Sequence, residues 1–338
     1  MNLNRLRLSA PVTVTWEVTY ACNLRCIHCL SDSGKPLKNE LSTSQGIEVL
    51  QMMSDLKIFQ INFGGGEPFL REDFFHLLNE AHQRGLVTCI STNGLSLDAE
   101  KIRILKDMPL TYLQISLDGA REETNDLIRG KGTYIRIMAT IETLFKEGIP
   151  FSINCVLTKV NYYELNDLLE LAKSIKAELR VSRFRPSGRG KLTRELLAPT
   201  ISQLEEFASW LDENEMVKTG DSFFCLTSSR RRQKGLDMCG AAKMTLCVSP
   251  TGNVYPCAFL QEEAFKAGIL KKEHLRDIWN NSYILNALRQ IEVSVCRHCI
   301  RFDQCRGGCP AIAYHIYGEF GFPDPECLIN IKNALYRS

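Results

Sequence analysis

Cys22, Cys26 and Cys29 stand in the run Cys22-Asn-Leu-Arg-Cys26-Ile-His-Cys29, three thiols spaced CxxxCxxC directly after a strand-like apolar stretch. A cuboidal 4Fe-4S cluster is usually held by cysteine thiolates, one on each of its four irons. A loop that supplies three leaves one iron open to a substrate or cosubstrate. A structural zinc site needs four N or S ligands closed into a tetrahedron. The nearest fourth candidate, His28, is wedged between two of the thiols and cannot easily reach the same ion. A second constellation fills the C-terminal third: Cys239, Cys247 and Cys257, then Cys296-x2-Cys299-x5-Cys305-x3-Cys309, and Cys327. These eight thiols suffice for two complete 4Fe-4S clusters; a zinc-ribbon pair is the other reading of CxxC modules.

Positioning such loops requires a framework, and from Val12 to about Ser182 short apolar runs alternate with longer helical patterns. That alternation is the mark of βα units around a parallel sheet. Strands are expected at Val12–Val18, Ile58–Phe63, Leu86–Ser91, Tyr112–Leu117, Phe151–Leu157 and Leu179–Ser182. Ser42-x-x-Gln45 and Asn161-x-x-Glu164 both fit helix N-caps with a polar N3 side chain reaching back. After Asn161, residues Leu165, Leu168, Leu169, Ala172 and Ile175 fall on one helical face. Six units in about 170 residues are too few for an eight-stranded barrel of ~250. The fold class is therefore α/β, a partial, TIM-like (β/α)6 barrel. Ligands of such folds sit at the carboxyl ends of the strands, and the unusual loops all lie there: the cysteine loop, Gly64-Gly65-Gly66-Glu67-Pro68, Thr92-Asn93-Gly94, Asp118-Gly119 and Arg185-Pro-Ser-Gly-Arg-Gly190. The last, glycine-rich and basic, could cradle an anion such as a peptide carboxylate. In the C-terminal third, Leu246 to Cys257 reads as a hairpin turning at Thr251-Gly252-Asn253, which would bring Cys247 and Cys257 near one another.

The cysteine loop followed by Gly64-Gly65-Gly66-Glu67-Pro68 resembles the radical SAM superfamily. In that superfamily the open iron chelates the amino and carboxylate groups of S-adenosylmethionine (SAM), and the reduced cluster cleaves SAM to a 5'-deoxyadenosyl radical. The resemblance implies that the backbone of Gly65, Gly66 and Glu67 engages the SAM amino group, with Asn93 also at the cofactor. It also implies that Ser116 meets the ribose and Arg129 the carboxylate, a pairing that suits a guanidinium. The C-terminal cysteines, with their GxxxxC hairpin, resemble the SPASM module of peptide-modifying radical SAM enzymes. From that arrangement Cys239, Cys247, Cys257 and Cys309 would hold auxiliary cluster I, and Cys296, Cys299, Cys305 and Cys327 auxiliary cluster II. Three 4Fe-4S clusters and SAM are the implied cofactors. The expected division is a lead-in at 1–11, the barrel at 12–220, and a linker and SPASM domain at 221–338.

Segments between the cluster motifs narrow the resemblance. Thr15 to Leu24, Phe184 to Gly190, Gly220 to Phe224, Cys239-Gly-Ala241, Cys305-Arg-Gly-Gly-Cys309 and Pro323-Asp-Pro-Glu-Cys327 are similar to the mycofactocin radical SAM maturase family. That resemblance implies a small precursor peptide ending in Val-Tyr, oxidative decarboxylation of its tyrosine, and then a carbon-carbon bond to the adjacent valine that closes a lactam. Other SPASM maturases, forming thioethers or formylglycine, remain an alternative, as does a zinc-binding scaffold without enzymatic activity. Only 11 residues precede the first strand, so a separate small leader-binding protein is expected. An electron donor such as flavodoxin or ferredoxin is the other expected partner.

Composition narrows the rest. A formal net charge of +2 gives no support for a nucleic-acid surface, and Arg230-Arg231-Arg232 reads as a solvated loop. No stretch approaches a membrane span and no signal-like segment opens the chain, so a cytoplasmic location is expected. Fourteen cysteines in a reducing compartment favour metal ligation over disulfides. Cys89 and Cys155, inside strands, read as small buried hydrophobes. Cys225, where a histidine is more usual in the family, could face substrate.

Overall fold

Trp16, Phe63 and Phe74 touch one another in a chain of ring contacts at 5.8 and 5.6 Å, and this stack shows how the sheet is laid down. The computed structural model describes residues 7–109, 112–219, 223 and 239–329; Cys225 and Arg230 to Arg232 lie outside them, as does the 220–221 division. Six strands form where the apolar runs predict: β1 (Thr13–Thr19), β2 (Gln60–Gly65), β3 (Val87–Thr92), β4 (Tyr112–Ser116), β5 (Ser152–Leu157) and β6 (Glu178–Arg183). All neighbouring pairs are parallel. Helices α1 (Thr43–Asp55), α2 (Phe74–Gln83), α3 (Ala99–Lys106), α4 (Glu122–Arg129), α5 (Thr133–Lys146) and α6 (Leu165–Ser174) lie between the strands.

Side chains alternate across the pleat. Val14, Trp16, Ile61, Phe63, Ile90, Leu113, Ile115, Ile153, Leu179 and Val181 are fully or almost fully buried in the main core. The alternate row is polar: Thr15, Asn62, Ser91, Gln114, Ser116, Asn154 and Ser182. Gln114 Nε2 donates to Ser91 Oγ at 3.3 Å and Ser182 Oγ to Asn154 Oδ1 at 2.6 Å. Cys89 belongs to this polar row and is only half-buried, unlike Cys155, which is buried as expected. The expectation for Cys89 is corrected by strand register, which pairs it with Asn62 and Tyr112.

Ser42 caps α1 as predicted: its Oγ accepts from Gln45 N and Gln45 Oε1 accepts from Ser42 N. The matching expectation for Asn161 is overturned. Asn161 makes no cap bond, and α6 starts only at Leu165, after a 3-10 turn at Tyr162–Glu164. Its amide works on the strand ends instead. Oδ1 accepts from Thr158 N at 2.7 Å, while Nδ2 donates to Asp118 O and Val156 O, each at 2.9 Å.

The larger difference is at the other edge. β7 (Thr245–Val248) joins β1 in parallel, Thr13 opposite Thr245 through Trp16 opposite Val248. β8 (Asn253–Tyr255) and β9 (Gly268–Ile269) follow antiparallel, giving one nine-stranded sheet in the order β6-β5-β4-β3-β2-β1-β7-β8-β9. The predicted hairpin is present with Gly252 at φ +83° in its turn. Cys247 pairs with Tyr255, so Cys257 lies just past the strand.

Candidate functional site

At the end of β1 the chain enters a loop that closes on itself, with Gly34 N donating to Tyr20 O and Cys22 N to Gly34 O. Cys22 Sγ accepts from Leu24 N at 3.4 Å and lies 3.8 Å from Asn93 Nδ2. Burial pushes the Cys22 thiol up and Cys26 to about 11, and each is raised further by its thiol neighbours, Cys29 among them. With their pKa values raised, Cys22 and Cys26 hold their protons unless a cation draws them off, which is what metal ligation does.

The loop's outward carbonyls are taken up by the segment after β6. Arg189 Nε donates to Cys26 O at 3.0 Å, Arg189 N to Cys29 O at 2.9 Å and Nη1 to Ser33 O at 3.0 Å; the guanidinium also pairs with Asp32. Thr193 Oγ1 donates to Ile27 O at 2.8 Å. Gly188, at φ +52°, passes so close that a Cβ there would lie 2.4 Å from Leu30 O. This basic loop was expected as an anion cradle, but Arg189 is committed to the cysteine loop.

Gly65 and Gly66 bring β2 against the same loop. Gly66 N donates to Thr19 O and Glu67 N to Ala21 O, and a Cβ on Gly66 would lie 2.1 Å from Ala21 O. Only glycine permits that approach. Glu67 is fully buried. Its Oε1 accepts from Thr92 Oγ1 at 2.7 Å and Phe69 N at 3.2 Å, and its Oε2 from Asn93 N at 2.8 Å. Burial raises its pKa to about 7 against the pull of those donors. Asn93 in turn reaches Asn23 Oδ1 at 2.8 Å. Glu67 thus fastens the β3 loop, through its carboxylate, to the cysteine loop, through its amide.

Ser116 ends β4 opposite Asn154, half-buried. Two residues on, Asp118 is fully buried and collects three elements: Oδ1 accepts from Val156 N at 2.8 Å, and Oδ2 meets His28 Nε2 at 3.0 Å and Arg129 Nη2 at 2.7 Å. Burial works to raise the Asp118 pKa, but Arg129 and His28 outweigh it and hold the carboxyl well below its usual range. Arg129, expected at a SAM carboxylate, is paired here with Asp118 and stands within electrostatic reach of Cys26 and Glu67. Asp118 and its bond to His28 were not assigned from the sequence; the one signal was the Asp-Gly pair at a strand end.

The eight remaining thiols fall into two neighbourhoods. Cys239 and Cys309 hydrogen-bond to each other with Cys257 beside them, and Cys257 is also beside Cys247. Sharing that bond, Cys309 is drawn down and Cys239 pushed up; Arg185 and Arg183 add to the lowering at Cys309. In the other, Cys296 is pushed up to about 11 by burial and by Cys305, Cys327 and Cys299. Among the described residues no three His, Cys, Asp or Glu side chains form a group that could hold a metal ion. Four thiolates bonded to four different irons need no such common point. Two groups of four buried or half-buried thiols fit the donor chemistry of 4Fe-4S clusters.

Residues 16–172 match the family model of the radical SAM superfamily, and residues 239–300 the iron-sulfur cluster-binding SPASM domain. Over 327 residues the chain is 38% identical to mycofactocin maturase MftC of Mycolicibacterium smegmatis, spanning 95% of this chain and 83% of that relative. The chain belongs to the mycofactocin maturase family. As a radical SAM enzyme with a SPASM domain, it belongs with proteins that bind SAM and iron-sulfur clusters. The AdoMet-dependent heme synthase of Methanosarcina barkeri is more distant, at 30% over 95% of this chain and 97% of its own. Streptococcus suis SuiB, solved with its precursor peptide SuiA, shares the fold at TM-score 0.80 and 21% identity, over 95% of this chain and 76% of that one. Among the described residues no helix is long and apolar enough to cross a membrane.

Proposed function

We propose that this chain is the radical SAM maturase of a mycofactocin precursor peptide: it decarboxylates the C-terminal tyrosine oxidatively and then joins the decarboxylated unit to the adjacent valine by a carbon-carbon bond that closes a lactam. The observation that carries this reading is identity at 38% sustained over 95% of the chain, across barrel and cysteine module alike. Cys22, Cys26 and Cys29 hold the SAM cluster; Cys239, Cys247, Cys257 and Cys309 hold auxiliary cluster I; Cys296, Cys299, Cys305 and Cys327 hold auxiliary cluster II. When bound, SAM and its cluster would supply radical chemistry for hydrogen-atom abstraction.

The chain's own contribution is orientation and exclusion of water. Gly65 and Gly66 present bare backbone to the SAM amino group. Glu67 and Asn93 lock the adjoining loops together, and Ser116 meets the ribose from the end of β4. Arg129 is held by Asp118 with its Nε unpartnered, a donor ready for the SAM carboxylate. The division at 12–220 and 221–338 separates radical generation from the auxiliary clusters. A small leader-binding protein and a flavodoxin or ferredoxin complete the system, in the cytoplasm.

The test is anaerobic incubation of the iron-loaded protein with SAM, reductant, a leader-binding partner and a peptide ending in Val-Tyr, followed by mass analysis. Loss of one formic acid equivalent is the expected result. An unmodified Val-Tyr peptide alongside thioether formation in a cysteine peptide would defeat the proposal in favour of another SPASM maturase.

A further inference from the structure

Two sequence segments whose cysteines have a role but whose other residues have none, Cys305-Arg-Gly-Gly-Cys309 and Pro323-Asp-Pro-Glu-Cys327, meet at one buried carboxylate. Asp324 Oδ1 accepts from Arg183 Nη2 at 2.5 Å and from Glu326 N at 3.0 Å; Oδ2 accepts from Arg183 Nη1 at 2.7 Å and from Cys309 N at 2.9 Å. A carboxylate has about four lone-pair sites, and here four donors fill them. The backbone is used as well: Asp324 N donates to Gly307 O at 2.8 Å, and Asp324 O accepts from Cys327 N at 3.0 Å. Gly307 and Gly308 hold φ at +95° and +87°. A Cβ on Gly308 would lie 2.3 Å from the Asp324 Cβ, so the glycine is what lets the carboxylate enter. Arg183, the last residue of β6, is as buried as its partner and is held on its far side by Glu326 at 2.6 Å.

We propose that Asp324 is the positioning residue that seats both auxiliary thiol groups against the end of β6. One side chain fixes the backbone of Cys309, from the first group, and the turn that carries Cys327, from the second. Through the bidentate Arg183 pair both are referred to the sheet. Neither an amide nor a longer acid replaces it. Asparagine offers half the acceptor sites and turns donors toward a guanidinium; glutamate needs space that the Gly308 approach denies.

The inference rests on the cluster reading above, and the experiment separates the two. Hydrogen exchange on the full chain, metal-free, reads the two amides that donate to the Asp324 carboxylate, Cys309 N and, in the turn that carries Cys327, Glu326 N, in Asp324→Asn against the parent. Exchange at both is expected to rise roughly tenfold or more together, as for loss of a hydrogen bond to a charged group. Arg183→Lys should give a smaller rise at the same two amides, and it decides the matter if Asp324→Asn does not fold. On iron-loaded protein, the EPR signals of both auxiliary clusters should change while the SAM-cluster signal stays. A response at one thiol group alone, or at neither, overturns the proposal. Absence of auxiliary signals from the parent protein defeats the cluster reading instead, and the exchange result still judges Asp324.

Discussion

Asp118 has no exposure to solvent, yet the Arg129 guanidinium, the His28 imidazole and a strand amide converge on it. Removing one partner of a buried ion pair strands the other, at about 3–5 kcal/mol. Asp118→Asn is therefore expected to lose that much in denaturant unfolding, with SAM affinity falling as Arg129 is released. The pH dependence follows from the depressed carboxyl. Its contribution is complete above the ordinary carboxylate value of 3.8 and is lost as pH falls toward the lower folded value. Unfolding free energy of the parent protein should drop with acid below about pH 4, and Asp118→Asn should lack that part of the slope. Sequence marked the Asp-Gly pair as a strand-end oddity but not its partners. His28, Arg129 and Val156 come from three other elements, and no local pattern announces a contact of that kind.

Loops at the strand ends are held by their neighbours more than by themselves. Arg189, Thr193 and Gly188 engage the carbonyl side of the cysteine loop, while Gly66 closes it from β2. Gly66→Ala must push the Ala21 carbonyl away, an overpacking of the kind that costs about 1–3 kcal/mol. SAM affinity, read by equilibrium dialysis, should fall with it; unchanged binding would remove the backbone of Gly66 from the site. Arg189→Lys loses the fork that reaches Cys26 O and Ser33 O together, and the expected result is selective loss of the SAM-cluster EPR signal. Asn161→Ala leaves buried strand-end groups unsatisfied, at about 1–3 kcal/mol, measurable by urea titration. The six strands of the barrel and the Ser42 cap were legible because each is written in local periodicity. Asn161 was misread for the same reason. Its spacing to Glu164 fits a helix cap, but Asp118 and Val156, which its amide binds, approach only in the folded sheet.

At the scale of the whole molecule, the auxiliary module is part of the barrel's own sheet. The eleven cluster-motif cysteines and their family segments were visible along the chain. The parallel pairing of β7 with β1 was not, since it joins runs more than two hundred residues apart whose apolar patterns suit many partners. A chain truncated after residue 220 would leave β1 as an open edge, a template for association. Light scattering of residues 1–220 is expected to show aggregation, and a monodisperse, cooperatively unfolding fragment would contradict the sheet's continuity. The same pairing acts as a ruler. Cys247 is locked opposite Thr15, and Cys22 follows seven residues further along that strand's path. A slip of one residue would turn Cys247 to the wrong face, and the next permitted setting is a full pleat away, about 6.6 Å. The gap between the two thiol groups is thus adjustable only in coarse notches, so any descendant that changes its working distance must do so in one jump.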